Sequence, residues 1–243
     1  MKNLSEYNYF KNIISEYLDI TLSSSQIESF NCYYEMLMEW NKVMNLTAIT
    51  DYHETLVKHF MDSLMISRIL DLNKISWMID VGTGAGFPGI PVKIVYPHIK
   101  LVLLDSLNKR IKFLNAVTET LKLENVSTLH GRAEDFAKKP EYREKFDLCV
   151  SRAVANLSTL SEYSLPFVKK SGNFVAYKSS NCEEEIEESK NAVKILGGEI
   201  KKIDKFELPG TDMGRALVQI EKIKNTPNGY PRKAGMPSKE PLK

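Results

Sequence analysis

Ile79-Asp80-Val81-Gly82-Thr83-Gly84-Ala85-Gly86-Phe87-Pro88-Gly89 runs from a strand-like stretch straight into a glycine-rich turn. A strand ending at Val81 makes Gly82-x-Gly84-x-Gly86 the turn itself. Pro88 and Pro91 then fit the first turn of the next helix, where no amide donor is missed. Glycines at such a turn admit positive φ and let the backbone approach a ligand with no β-carbon in the way. The same stretch holds Gly84-x-Gly86-x-x-Gly89, a literal dinucleotide fingerprint, so the pattern alone does not choose the ligand. A diphosphate would want several free amides at the helix start, and Pro88 removes one. A tight turn with no ligand is the plainer alternative.

Downstream, short apolar runs alternate with helical patterns, the grammar of β-α-β units and a parallel sheet. Strands are expected near Trp77–Val81, Lys100–Leu104, Val126–His130, Asp147–Ser151 and Asn173–Tyr177. The crossover Lys109–Leu121 carries Ile111, Leu114, Val117 and Leu121 on one face. Two last runs, near Ile200–Leu208 and Ala216–Ile223, are separated by Pro209-Gly210 and can pair as an antiparallel hairpin at a sheet edge. Five parallel strands closed by such a hairpin are the ground plan of many S-adenosylmethionine methyltransferases; dinucleotide folds usually end on a sixth parallel strand. The expected class is therefore α/β and Rossmann-like, with an N-terminal helical extension.

Upstream, Phe10, Ile13, Ile14, Tyr17 and Leu18 fall at helical spacing, and Ile27, Phe30, Tyr34, Leu37 and Met38 repeat it. Ser23 with Gln26 and Ser25 with Glu28 each fit a capping box, and Asp51 with Glu54 opens a third helix carrying Leu56, Phe60 and Leu64. The chain divides into a helical region (1–73), a methyltransferase-type domain (74–223) and a Pro/Gly-rich tail (224–243) expected to be neither helix nor strand. Formal charge divides with it, −5, +3 and +4 respectively. Polyanion contacts should then involve the tail and local patches of the middle.

Acidic residues interrupt the first twenty positions, so no signal peptide or membrane span is expected there, and the reading is cytoplasmic. Cys32, Cys149 and Cys182 lie far apart without a C-x-x-C pair, which suggests neither a disulfide framework nor a zinc site.

Candidate site residues cluster after the strands. Asp105 ends the second strand, 23 residues past Gly82, where a carboxylate can accept from ribose hydroxyls. In Gly131-Arg132-Ala133-Glu134-Asp135-Phe136, adenine would lie beside the backbone of Ala133 and Glu134; a helix-start acid is the plainer reading. Arg152, after the fourth strand, could hold the carboxylate of the cofactor's methionine or an RNA phosphate. Lys109-Arg110-Ile111-Lys112 forms a basic patch beside the same edge, and Tyr230-Pro231-Arg232-Lys233 mixes an aromatic with cations on an expected flexible backbone, suited to stacking and phosphate contact. His59 and Asp62, three apart, read as a local hydrogen-bonded pair rather than a catalytic dyad. No nucleophile–base pair is evident.

As a set, Trp40-Asn41-Lys42 with Asn45-Leu46-Thr47, His59-Phe60-x-Asp62-Ser63-Leu64, the Asp80–Gly89 stretch, Leu104-Asp105-Ser106, Ala133-Glu134, Ser151-Arg152-Ala153, Gly214-Arg215 and the 230–233 tail resemble the RsmG (GidB) family of ribosomal RNA guanine-N7 methyltransferases. The resemblance implies S-adenosylmethionine as cofactor, with Gly82, Phe87, Ala133, Glu134 and Arg152 at its site; the loop and second strand add Gly84 and Asp105. It implies a 16S rRNA guanine beside the decoding centre as substrate, on free RNA or the small subunit. The RNA-facing candidates are Arg110, Lys178, Arg232 and Lys233. One departure is Tyr177-Lys178-Ser179, where the family usually has Lys-Gly. Guanine N7 carries its lone pair without losing a proton, so no catalytic residue is required, and alignment alone can supply about 7–11 kcal/mol of barrier. No metal is expected, nor a membrane contact, and a monomer is expected. The rival readings are a nicotinamide oxidoreductase and a non-catalytic RNA-binding module.

Overall fold

The computed structural model describes residues 4–152 and 154–242; Ala153 of the Ser151-Arg152-Ala153 motif and Lys243 of the tail lie outside them. Helix α1 (Leu4–Leu18) is followed by α2 (Ser24–Met44), which starts on a capping box: Gln26 N donates to Ser23 Oγ and Ser23 N to Gln26 Oε1. The other candidate box, Ser25 with Glu28, falls inside the helix. Gln26 then reaches across, its Nε2 donating to Ile94 O at 3.0 Å, which ties α2 to the sheet domain.

The expected third helix is not one regular helix. α3 (Tyr52–Thr55), capped by Asp51 on Glu54 N, widens into a π-helical turn (Leu56–Met61), narrows to α4 (Asp62–Leu64) and ends as a 3-10 turn (Met65–Arg68). Such π insertions often sit at functional sites because they re-aim side chains without ending the helix.

Seven strands form one sheet: β1 (Trp77–Val81), β2 (Lys100–Asp105), β3 (Val126–His130), β4 (Phe146–Arg152), β5 (Val168–Ser179), β6 (Gly198–Glu207) and β7 (Gly214–Lys222), in the order β3-β2-β1-β4-β5-β7-β6. The first five run parallel, β7 is antiparallel to β5, and β6 pairs with β7 at the edge. β5 starts earlier than expected. The polar stretch Lys169–Gly172 reads as a turn, yet β4 and β5 absorb it in a register shift between Phe146 and Leu148.

Alternate strand residues serve two cores, as the two-residue period requires. Met78, Leu101, Leu103, Leu148, Val150 and Val175 pack with the N-terminal helices, while Ile79, Val102, Leu104, Cys149 and Phe174 pack beneath the other layer. The helical region 4–73 is thus a layer of the same core. Phe60 meets Phe30 at 5.0 Å, Tyr33 at 5.3 Å and Phe87 at 6.0 Å between ring centroids, and truncating so buried a ring would cost about 3–5 kcal/mol. Among the described residues no helix is long and apolar enough to cross a membrane.

Candidate methyl-donor and acceptor site

β1 and β4 are adjacent, and the chain turns to opposite sides of the sheet from there, so a crevice opens beyond their carboxyl ends. The glycine loop enters it from β1. Gly82 and Gly84 have φ of 71° and 62°, and the loop is held from below by Asp80, whose Oδ2 accepts from Thr83 Oγ1 at 2.7 Å and from Gly89 N at 2.8 Å. The other carboxyl oxygen of Asp80 is buried without a partner, and burial pushes this acid up to about 7. The proline register differs from expectation: Pro88 is the N-cap of α5 (Gly89–Val95), one residue earlier, because Gly89 must approach Asp80 with its own amide.

Beside the loop lies a cavity of about 230 Å³ lined by Gly82, Asp105, Ala133, Glu134, Tyr163 and Ser238, among others. Asp105, only 2 % exposed, accepts from Gly84 N and Leu107 N, each at 2.9 Å, so it shapes the loop as well as the cavity. Its third partner is Arg110 Nη1 at 3.2 Å, from α6 (Asn108–Thr120). Arg110 thus pairs with Asp105 while 35 % of its side chain stays exposed. Glu134, in α7 (Ala133–Phe136), is equally buried and accepts from the Gly235 amide at 2.8 Å. These residues suit S-adenosylmethionine: two acids face a cavity where hydroxyl and amine groups need acceptors, and a β-carbon built on Gly84 meets nothing within 4 Å.

A second cavity, about 440 Å³, opens on the β4–β5 side and is lined by His59, Asp62, Arg152, Lys178 and Arg215, with Phe206 and Ile49 as apolar walls. Arg152 Nη1 donates to Asp62 Oδ2 at 2.8 Å and Arg215 Nε to Asp62 Oδ1 at 3.1 Å. His59 does not pair with Asp62, contrary to expectation. Its Nε2 meets Thr47 Oγ1 at 2.7 Å, its ring stacks on Phe87 at 4.5 Å, and its Nδ1 lies 3.4 Å from Arg152 Nη2, so His59 and Asp62 share one guanidinium instead of bonding each other. Burial first, then the charge of Arg152, pushes His59 down to about 3.

The remaining expectations sort by position. Phe87 is 6 % exposed, packed under the helices with Tyr33 and His59, and the Arg152 guanidinium lies 5.0 Å from its ring centre. Phe87 is not among the residues that line the 230 Å³ cavity. Lys178 lines the second cavity, bonded to Ala155 O at 2.7 Å and to Glu185. The tail is docked and includes the short helix α10 (Met236–Lys239), which corrects both its expected flexibility and its expected lack of helix; before it, helices α8 (Leu157–Ser164) and α9 (Glu183–Ile195) complete the chain order. Arg232 is committed to Glu162 of α8, which is fully buried, whereas Lys233 stays exposed. Tyr163, Ser238, Asp62 and Arg215 were not singled out as site residues from the sequence. Arg215 was quoted only by the resemblance, and Asp62 otherwise only as a partner for His59; a lone acid and a lone arginine 153 residues apart carry no pairing signal.

The sequence model of the GidB family, described as rRNA small subunit methyltransferase G, matches residues 26–213. Ribosomal RNA small subunit methyltransferase G of Lachnoclostridium phytofermentans is 52% identical over 225 residues, 93% of either chain. The protein of the same name from Clostridium tetani is 53% identical over 224 residues, covering 92% of this chain and 94% of its own. That of Bacillus subtilis is 49% identical over 223 residues, covering 92% and 93%. Two solved structures share the fold: P. horikoshii TYW2 in complex with MeSAdo (TM-score 0.53, 15% identity, 67% of this chain and 62% of that one) and M. jannaschii TYW2 in complex with AdoMet (0.53, 14%, 68% and 76%).

Proposed function

The chain belongs to the rRNA small subunit methyltransferase G family, and on that premise we propose that it methylates N7 of one guanine in 16S rRNA near the decoding centre, with the 230 Å³ cavity as donor site and the 440 Å³ cavity as acceptor site. It is an S-adenosylmethionine-dependent enzyme acting on small-subunit rRNA. We take it to work as a monomer in the cytoplasm.

The observation that carries the division of labour is the contrast between two cavities at one strand edge. In the first, Asp105 and Glu134 outnumber Arg132, a balance suited to ribose hydroxyls and an amine. Arg152, Arg215, Lys178 and Lys58 outnumber Asp62 and Glu185 in the second, suited to a nucleotide carrying phosphate. Arg152 lines the second cavity alone, so its side chain is part of the proposed acceptor wall.

S-adenosylmethionine, when bound, supplies an electrophilic methyl group on its sulfonium. The chain's part is to align and to exclude water. Asp80 and Asp105 fix the loop from two sides through Gly89 N and Gly84 N. The arginine pair on Asp62 fixes the acceptor wall. At pH 7 the His59 imidazole is neutral and, with a value near 3, a poor proton acceptor, which agrees with a nucleophile that needs no deprotonation.

The test is incubation with methyl-labelled S-adenosylmethionine and small subunits lacking modifications, followed by nucleoside analysis. Labelled 7-methylguanosine at one site is expected. A label on another atom, or none on subunits or free rRNA, would overturn the proposal. A nicotinamide cofactor should give no stabilisation of the fold while S-adenosylmethionine does.

A further inference from the structure

We infer that the C-terminal segment 230–242 is a wall of the donor cavity and orients its Glu134 side, and so acts in cofactor binding instead of reaching for RNA. This rests on the assignment of the 230 Å³ cavity to S-adenosylmethionine.

Three anchors hold the segment against the sheet domain. Arg232 uses its backbone N–H, Nε and Nη2 on the carboxylate of Glu162, at 2.7–3.1 Å, and that carboxylate is fully buried. Thr159 Oγ1 donates to Pro237 O at 2.9 Å. Arg143 donates to Tyr230 O at 2.8 Å and to Thr226 O at 2.9 Å. Releasing Arg232 to an RNA phosphate would leave Glu162 charged, buried and unpaired, which costs more than one screened phosphate contact returns.

Held this way, the segment delivers two groups to the cavity. The Gly235 amide, presented by a left-handed turn at φ 85°, donates to Glu134 Oε1 at 2.8 Å. Ser238 stands on the rim with Tyr163 of α8. Neither Gly235 nor Ser238 could be linked to Glu134 by spacing, since about a hundred residues separate them.

Hydrogen exchange on the intact chain, with and without S-adenosylhomocysteine, tests this. Saturating ligand is expected to slow amides in both 131–135 and 230–240 at least tenfold. Slowing in 131–135 alone would show a correct cavity with an uninvolved tail and overturn the inference. Slowing in neither, with the ligand bound, would overturn the cavity assignment and the inference together. A second arm uses Ser238→Trp at an exposed position, which leaves the Arg232 anchor intact. The dissociation constant for S-adenosylhomocysteine and KM for S-adenosylmethionine are expected to rise at least tenfold, kcat to fall less, and the salt slope of RNA binding to match the parent. An unchanged dissociation constant and KM in this variant would show that the segment does not wall the cofactor site and overturn the inference.

Discussion

Asp62 Oδ2 accepts a hydrogen bond from Arg152 Nη1 at 2.8 Å, joining the N-terminal helices to the end of β4 across 90 positions of chain. Arg215 from β7 holds the other oxygen, so one nearly buried carboxylate locks three parts of the fold around the 440 Å³ cavity. Asp62→Ala leaves two partly buried guanidinium groups facing one another. A loss of about 2–4 kcal/mol in unfolding free energy is expected from urea denaturation, the range for breaking one side of a buried pair, reduced because Arg215 is a quarter exposed. A loss below about 0.5 kcal/mol would mean the cluster is held by packing alone.

Gly84 separates strain from obstruction. A β-carbon at Gly84 meets nothing of the protein within 4 Å, so the cost of a side chain there is the left-handed φ of 62° together with obstruction of a ligand approaching the loop. Gly84→Ala should fold with a loss of about 1–2 kcal/mol and bind S-adenosylmethionine at least tenfold more weakly by calorimetry. Gly84→Val should bind more weakly still. Parent affinity in a folded Gly84→Val chain would refute this register of the loop.

Two buried groups should give opposing pH slopes. His59, pushed down to about 3 from 6.5, stays neutral in the folded chain while the unfolded chain takes up a proton, so its contribution is full above pH 6.5 and is lost as pH falls toward 3. Asp80, raised to about 7 from 3.8, holds a proton the unfolded chain releases, so its contribution is full below 3.8 and is lost as pH rises through 7. Each slope reaches at most about 1.4 kcal/mol per pH unit. Relative to the parent, stability of Asp80→Asn should rise from pH 4 to 6.5 and that of His59→Gln should fall. Denaturation at pH 4.5, 5.5 and 6.5 checks this, and parallel profiles for all three chains would contradict it.

Arg215 lines the 440 Å³ cavity proposed for the acceptor and not the 230 Å³ one. In Arg215→Met, the KM for RNA is expected to rise about tenfold, equivalent to about 1.4 kcal/mol, with the S-adenosylmethionine dissociation constant within twofold of the parent. Equal weakening of both ligands would show that the cavities are not separate sites. A thermal melt of the same sample distinguishes lost contacts from lost fold.

Local chemistry and periodicity were enough for much of this protein. The strand–glycine-turn–helix at 79–89, the alternation that makes five parallel strands, the Pro209-Gly210 hairpin and the Ser23–Gln26 cap depend on neighbours a few positions apart, and such signals survive in one dimension. Asp105 and Glu134 were legible for the same reason, since each follows a strand whose end is predictable. What the tertiary structure alone decided are the partners. Arg110 turns to Asp105, Arg232 to Glu162, Gly235 to Glu134, and Arg152 with Arg215 to Asp62. A long basic side chain or a free amide can satisfy many acceptors, and burial selects one by making every unpaired charge expensive. The π turn at Leu56–Met61 belongs with them. It keeps the apolar period of an ordinary helix, and only the packing shows that His59 and Asp62 meet through the Arg152 guanidinium and not directly.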